Sequence, residues 1–145
     1  MGIADKLDIS DIVKCAEKFC KLLDNALKSE KDLAESKTDV FSFEIARGAT
    51  IQFFEVSLEL SWKMMQKWVE INDDKNIEGK PKRELFRVAC RCGLIDDPVP
   101  WWKFFENRIK ISYIYHEKMA EEVFETAKTF RPYLEDFLER LEERR

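Results

Sequence analysis

An all-α fold, an antiparallel up-and-down bundle of about five helices, is what the sequence predicts, on three observations. Only 4 Gly and 4 Pro occur in 145 residues, too few turn formers for a sandwich or barrel that must reverse roughly every ten residues. Apolar residues recur at three- and four-residue steps over long stretches, the period of a helix face. Charged residues make up 37% of the chain, as expected of long helices with solvated faces. A chain of this length buries about 70% of the surface its unfolded form exposes, so residues 1–145 are expected to form one compact domain without disulfides or metals.

The first helix is read from Ile9 to about Leu33, where Ile9, Ile12, Val13, Ala16, Phe19, Leu23, Ala26 and Leu27 mark one face and Asp8 is its expected N-cap. The stripe lapses at Glu35-Ser36-Lys37. Thr38 or Asp39 then caps a second helix reaching about Ile71, apolar on more than one face: Phe41, Ile45, Phe53, Phe54, Leu58, Leu60, Trp62, Met65 and Trp68. A helix so apolar must be wrapped by neighbours or by a partner chain. Residues Asn72 to Lys80 read as a polar loop. Pro81 suits the first turn of a third helix that directs Leu85, Val88 and Ala89 inward and stops at Gly93. The segment DDPVP is expected to be non-helical through both prolines, so a fourth helix opens at Trp101 and ends between Ile109 and His116. The final segment, Glu117 to Arg145, is helical, with Pro132 either kinking it or starting a new helix after Thr129.

Charge and composition exclude several function classes. The net charge is −4, so contact with nucleic acid needs a local basic patch. There is one histidine, which excludes most chemistry built on several imidazoles. Cys15, Cys20, Cys90 and Cys92 have neither zinc-ribbon nor redox-dithiol spacing, and they read as reduced apolar thiols in a cytoplasmic protein. No metal or cofactor is expected. The start, MGIADKLDIS, is not a signal peptide, Lys6 breaks a myristoylation pattern, and no membrane-length apolar run occurs.

Three clusters carry candidate chemistry. Lys80, Lys82, Arg83, Arg87 and Arg91 stand against a lone Glu84, and positions 80, 83, 87 and 91 form one helical stripe. It is either a phosphate-holding surface or a solvated face balancing the acidic last helix. Glu55, Glu59 and Lys63 are spaced by four, the favourable ion-pair order; Arg47, two turns earlier, is a possible partner if the stripe is semi-buried. The segment 101–118, WWKFFENRIKISYIYHEK, packs two Trp, two Phe, two Tyr and the only His among basic residues. Such a cluster is either core or a stacking platform for a nucleotide base. Its aromatics and those of the second helix supply enough large apolar surface for a dimer core.

The string RGATIQFFEVSLELSWK, Arg47 to Lys63, resembles the R-x-x-x-I-Q-x-F-E-x-x-x-E-L-x-W-K signature of the nucleotidyltransferase substrate-binding proteins of the HEPN superfamily. Residues 81–102, PKRELFRVACRCGLIDDPVPWW, are similar to that family's basic-helix, glycine-leucine-isoleucine, acidic-turn, tryptophan pattern. RIKISYIYHEKMAEEV lies where the family has R-N-x-x-x-H-x-Y-x-E. The resemblance implies an all-α homodimer acting beside a separate MNT-type nucleotidyltransferase. It makes Arg47, Glu55, Glu59, Lys63, Arg87, Trp102 and Glu117 substrate-binding candidates. Related HepT-type members are toxin ribonucleases neutralised by nucleotidyl transfer to the motif tyrosine, here Tyr115. Two motif positions depart: Ile109 replaces the asparagine and Tyr113 the histidine. A phenol of pKa about 10 is a poor proton shuttle near neutrality. The expectation is therefore a non-catalytic substrate-binding or target subunit of a toxin–antitoxin pair, with nucleotide or RNA as its ligand. The alternative is a ribonuclease using Arg108 with Tyr113 or His116.

Overall fold

The computed structural model describes residues 7–110 and 117–145. Its elements, in order, are α1 (Ser10–Ala34), α2 (Val40–Asn72), a 3-10 turn at Ile77–Gly79, α3 (Lys82–Arg91), α4 (Pro98–Lys110) and α5 (Glu117–Arg144). No strand occurs among the described residues, and the all-α helical bundle is as expected.

The helix ends follow local chemistry. Ile9, not Asp8, occupies the N-cap of α1, but the Asp8 carboxylate still accepts the Ser10 N–H at 2.9 Å. Asp39 caps α2 by accepting the Ser42 N–H at 2.7 Å. At the end of α3, Gly93 adopts φ +83°, Leu94 N–H donates to Ala89 O at 2.9 Å and Gly93 N–H to Cys90 O at 3.0 Å. This is the Schellman arrangement, which satisfies the last carbonyls and turns the chain toward α4.

One expectation about proline is corrected and another is narrowed. The DDPVP segment is helical through both prolines, because Pro98 and Pro100 fall in the first turn of α4. The first four N–H groups of a helix have no intrahelical acceptor, so nothing is lost there. Asp97 meanwhile caps the turn by accepting the Val99 N–H at 3.0 Å. Of the two readings of Pro132, a new helix starting after Thr129 is excluded, since α5 is continuous around it. Its side chain is solvent-exposed, so the ring displaces no neighbouring helix. The loop after α2 is also more structured than its composition implies, because its 3-10 turn buries Ile77 completely.

Phe130, midway along α5, ties four helices together. Its ring meets Phe19 of α1 at 5.8 Å, Phe54 of α2 at 5.1 Å, and Trp101 and Phe104 of α4 at 5.6 and 5.2 Å, all edge-on. Such edge-to-face pairs add about 0.5–1.5 kcal/mol each beyond area burial. Small residues are buried on both α1 (Cys15, Ala16, Ala26) and α2 (Ala46, Thr50, Ser57), and polar contacts join the two helices. Thr50 shares its hydroxyl between Leu22 O (3.1 Å) and Ala46 O (2.9 Å), and the Cys15 thiol lies 3.3 Å from the Ser57 hydroxyl. These buried hydroxyls therefore cost little. Trp101 is 1% exposed and packed among Phe86, Phe104, Phe130 and Phe137. It belongs to the core of a single chain, which removes it from any dimer surface.

Candidate functional site

Arg47 projects from α2 into the start of α5. It is 6% exposed, and one terminal nitrogen donates to both carboxylate oxygens of Glu117, at 2.8 and 3.0 Å. Its guanidinium lies 5.3 Å from the Phe43 ring centroid, so an aromatic face covers what the carboxylate does not. Glu117 is the first residue of α5 and its side chain is 61% exposed. An acidic side chain there also complements the helix dipole. The expected association of Arg47 with Glu55 and Glu59 is thus replaced by a partner 70 residues away. Eight residues along a helix rotate a side chain by about 80°, which takes Arg47 off the Glu55–Glu59 face.

Glu59 and Lys63 form the expected pair at 3.1 Å, with both side chains largely solvated, and such a pair contributes only a few tenths of a kcal/mol. Glu55 is half-buried and makes no ion pair among the described residues. Glu59 and Lys63 continue a stripe formed by Phe41, Ile45, Gly48, Gln52 and Val56, spaced by three or four. Phe41 is 69% and Ile45 58% exposed, and a Cβ added to Gly48 meets no atom within 4 Å. One long face of α2 is therefore apolar, glycine-notched and uncovered. The opposite face carries Phe54, Leu58, Met65 and Val69 into the core.

The basic stripe expected along the third helix divides, and Lys80 is not on it, since the chain is extended there and α3 begins at Lys82. Lys80 is neutralised by Asp74 at 2.6 Å and Arg91 by Asp73 at 2.8 Å, both from the preceding loop. The Lys80 ammonium beside Asp74 holds that carboxyl below the usual aspartate range. Between them, Arg83 and Arg87 line a cavity of about 290 Å³ with Phe86, Pro98, Val99 and Trp102. Arg87 and Trp102, two of the expected substrate-binding residues, are thereby brought together; Arg83, Pro98 and Val99 complete a wall that sequence reasoning did not assemble. The i, i+4 spacing of Arg83 and Arg87 was its one local signal.

The aromatic side of this cavity is layered. Arg83 lies 4.6 Å from the Trp102 ring, Trp102 stacks on Phe105 at 5.6 Å, and Arg108 lies 5.1 Å from Phe105. Lys82 sits 4.3 Å above Trp62, whose ring meets Phe105 edge-on at 6.5 Å. Neither Arg83 nor Arg108 has a carboxylate partner among the described residues. The Arg108 Nε and the indole N–H groups of Trp62 and Trp102 are buried with no acceptor among the described residues. Tyr113, Tyr115 and His116 lie outside the described residues, so the expected roles of these three have no geometry here. Among the described residues no cluster of His, Cys, Asp and Glu could hold a metal ion, and no helix is long and apolar enough to cross a membrane.

Residues 18–143 match the family described as nucleotidyltransferase substrate binding protein like. Among solved structures, the chain is similar to HI0074 of Haemophilus influenzae, described as revealing the fold of a substrate binding domain of a nucleotidyltransferase. The two share 25% identity at a TM-score of 0.76, over 90% of this chain and 98% of that one. No curated protein matches significantly.

Proposed function

This chain belongs to the nucleotidyltransferase substrate-binding-protein-like family, and we propose that it is the non-catalytic, dimeric partner of a separate MNT-type nucleotidyltransferase. It holds substrate, a nucleotide or RNA, and is itself the modified member of a cytoplasmic toxin–antitoxin pair of HEPN type. The observation that carries this reading is the Arg47–Glu117 pair at 2.8 Å. It joins the start of the signature string to the residue two places after Tyr115, tying together two of the three segments through which the chain resembles the family. Tyr115 is the nucleotidyl acceptor. Its phenol oxygen attacks the α-phosphate of a nucleoside triphosphate, pyrophosphate leaves, and the phenolic proton passes to solvent; the partner's metal ions supply the activation.

The exposed face of α2 supports dimerisation. Phe41, Ile45 and Val56 form an apolar seam of the kind that marks a protein interface, and Gly48 lets a second backbone approach closely. Ile45→Glu and Phe41→Asp place charge on that seam without touching the core, and they should convert a dimer into a folded monomer. A light-scattering mass unchanged by both substitutions removes α2 as the interface.

Mass spectrometry after incubation with the cognate transferase and ATP tests the acceptor. A Tyr115 peptide heavier by one nucleotidyl group is expected, and an unmodified peptide refutes the acceptor role. The non-catalytic reading fails if the purified dimer cleaves RNA and Arg108→Ala abolishes the cleavage, the outcome the ribonuclease alternative requires.

A further inference from the structure

The cavity between α3 and α4 has the chemistry of an anion site with an apolar floor. Arg83 and Arg87, one helical turn apart, supply its charge, and no carboxylate lines it. In a chain with 29 acidic residues, most arginines are held by carboxylates: Arg47, Arg91, Arg131, Arg140 and Arg145 at 3.0 Å or less. Arg87 is held loosely, by Glu84 at 3.8 Å. Arg83 has no carboxylate partner among the described residues. Its guanidinium carbon lies over the Trp102 ring, 4.6 Å from the centroid. Stacking occupies the face of a guanidinium and leaves its in-plane N–H fork free, the part that matches phosphate oxygens.

The surroundings favour the same ligand. Pro98 and Val99 form the first turn of α4, so the positive end of that helix dipole borders the cavity. Asp97, the carboxylate nearest this turn in sequence, is committed to the Val99 N–H at 3.0 Å. Phe86, Val99 and Trp102 offer an apolar wall to the rest of the ligand. The volume, about 290 Å³, falls just below the span of small-molecule sites, about 300–1,000 Å³. That suits one nucleotide unit.

We propose that the Arg83–Arg87–Trp102 cavity binds a nucleoside monophosphate unit, with the phosphate on the two arginine forks and the flat base against Val99 and Trp102. The same chemistry is presented by free mononucleotide and by the 5′-phosphorylated end of single-stranded RNA. This deepens the substrate-binding reading and rests on it for the ligand's relevance, but the site itself needs no transferase.

The test is calorimetric titration of the purified chain, alone, with AMP, adenosine, inorganic phosphate, and an oligoadenylate with or without a 5′-phosphate. AMP should bind more tightly than either adenosine or phosphate. Arg83→Gln and Arg87→Gln should each weaken AMP binding about tenfold or more, the loss of a charge-assisted fork. Both side chains are exposed, so unchanged melting temperatures are expected to accompany that loss. Arg91→Gln removes the same charge from the same helix, outside the cavity, and should change AMP binding less than about twofold. Tighter binding of the 5′-phosphorylated oligonucleotide than of AMP assigns the site to RNA ends; the reverse assigns it to free nucleotide, and either supports the site. No AMP binding at millimolar concentration, equal binding of adenosine or phosphate, or equal losses in all three variants overturns it. Arginine-dependent AMP binding without any transferase complex or Tyr115 modification leaves this site standing and removes the partnership. A complex that forms without AMP binding does the opposite.

Discussion

Glu117→Gln is the most informative single perturbation of the fold near the signature motif. The substitution keeps size and some hydrogen bonding but removes the charge opposite a guanidinium that is 6% exposed. Stripping one partner from a fully buried ion pair costs about 3–5 kcal/mol. Here the carboxylate is 61% exposed, so solvent screens the pair and water can reach the vacated position, which lowers the cost. Two hydrogen bonds at 2.8 and 3.0 Å from one nitrogen act as a single bifurcated, charge-assisted contact, for which about 1.5 kcal/mol is appropriate. Unfolding entropy of about 2.1 cal/mol/K per residue makes 1 kcal/mol equivalent to about 3 °C in a chain of this length. Glu117→Gln should therefore melt about 5 °C lower, followed by circular dichroism. Arg47→Met removes the charge while keeping a long unbranched side chain, and in that background Glu117→Gln should cost almost nothing. A double-mutant cycle in urea should return a coupling of about 1 kcal/mol or more. A coupling near zero, or a Glu117→Gln protein melting within about 1 °C of the parent, would show that the pair does not join α2 to α5 in solution and would refute the argument.

Trp101→Ala should be the most damaging of the single substitutions considered, by about 3–5 kcal/mol, because it empties a site ringed by four phenylalanines; thermal melting should fall by about 10–15 °C, and a loss under 1 kcal/mol would place the indole outside the core. Gly93→Ala should cost about 1–2 kcal/mol, since φ is +83° and the added Cβ lies 3.0 Å from the Arg144 guanidinium; chemical denaturation measures it. The Asp39 carboxyl is held below its ordinary value of 3.8 by the Ser42 N–H it accepts. A lowered folded pKa means the cap contributes fully above that ordinary value and fades as pH falls through the lowered one. Asp39→Asn caps without titrating, so its melting temperature should decline less steeply in acid than the parent's; parallel declines would rule out the cap.

Much of the fold is legible in the residues. The heptad-like steps of Ile12, Phe19, Leu23 and Ala26 mark the buried face of α1, and Asp39 and Gly93 mark a start and a stop because capping is decided within four residues of chain. Where the reading failed, the missing information was positional. DDPVP looks like a helix breaker until the helix is known to begin at Pro98, where a missing N–H costs nothing. Pro132 could be judged only with its surroundings known.

The candidate site was legible as an inventory and not as an arrangement. Arg47, Glu117, Arg87 and Trp102 stand out by type and motif in the chain itself, as does the family to which they point. What tertiary structure alone decided is who faces whom. Arg47 turns to Glu117, across 70 residues, and not to the glutamates of its own helix. Lys80, just before the third helix, and Arg91, at its end, are neutralised by loop aspartates while Arg83 and Arg87 open onto a cavity. Of the tryptophans, Trp101 vanishes into the core and Trp102, its neighbour, forms the cavity wall. The physical reason is the same in each case. Helix period and end caps are settled by neighbours in the chain, so sequence determines them. Burial and charge pairing depend on how helices rotate as they dock around Phe130, and that rotation is set by the joint packing of five helices.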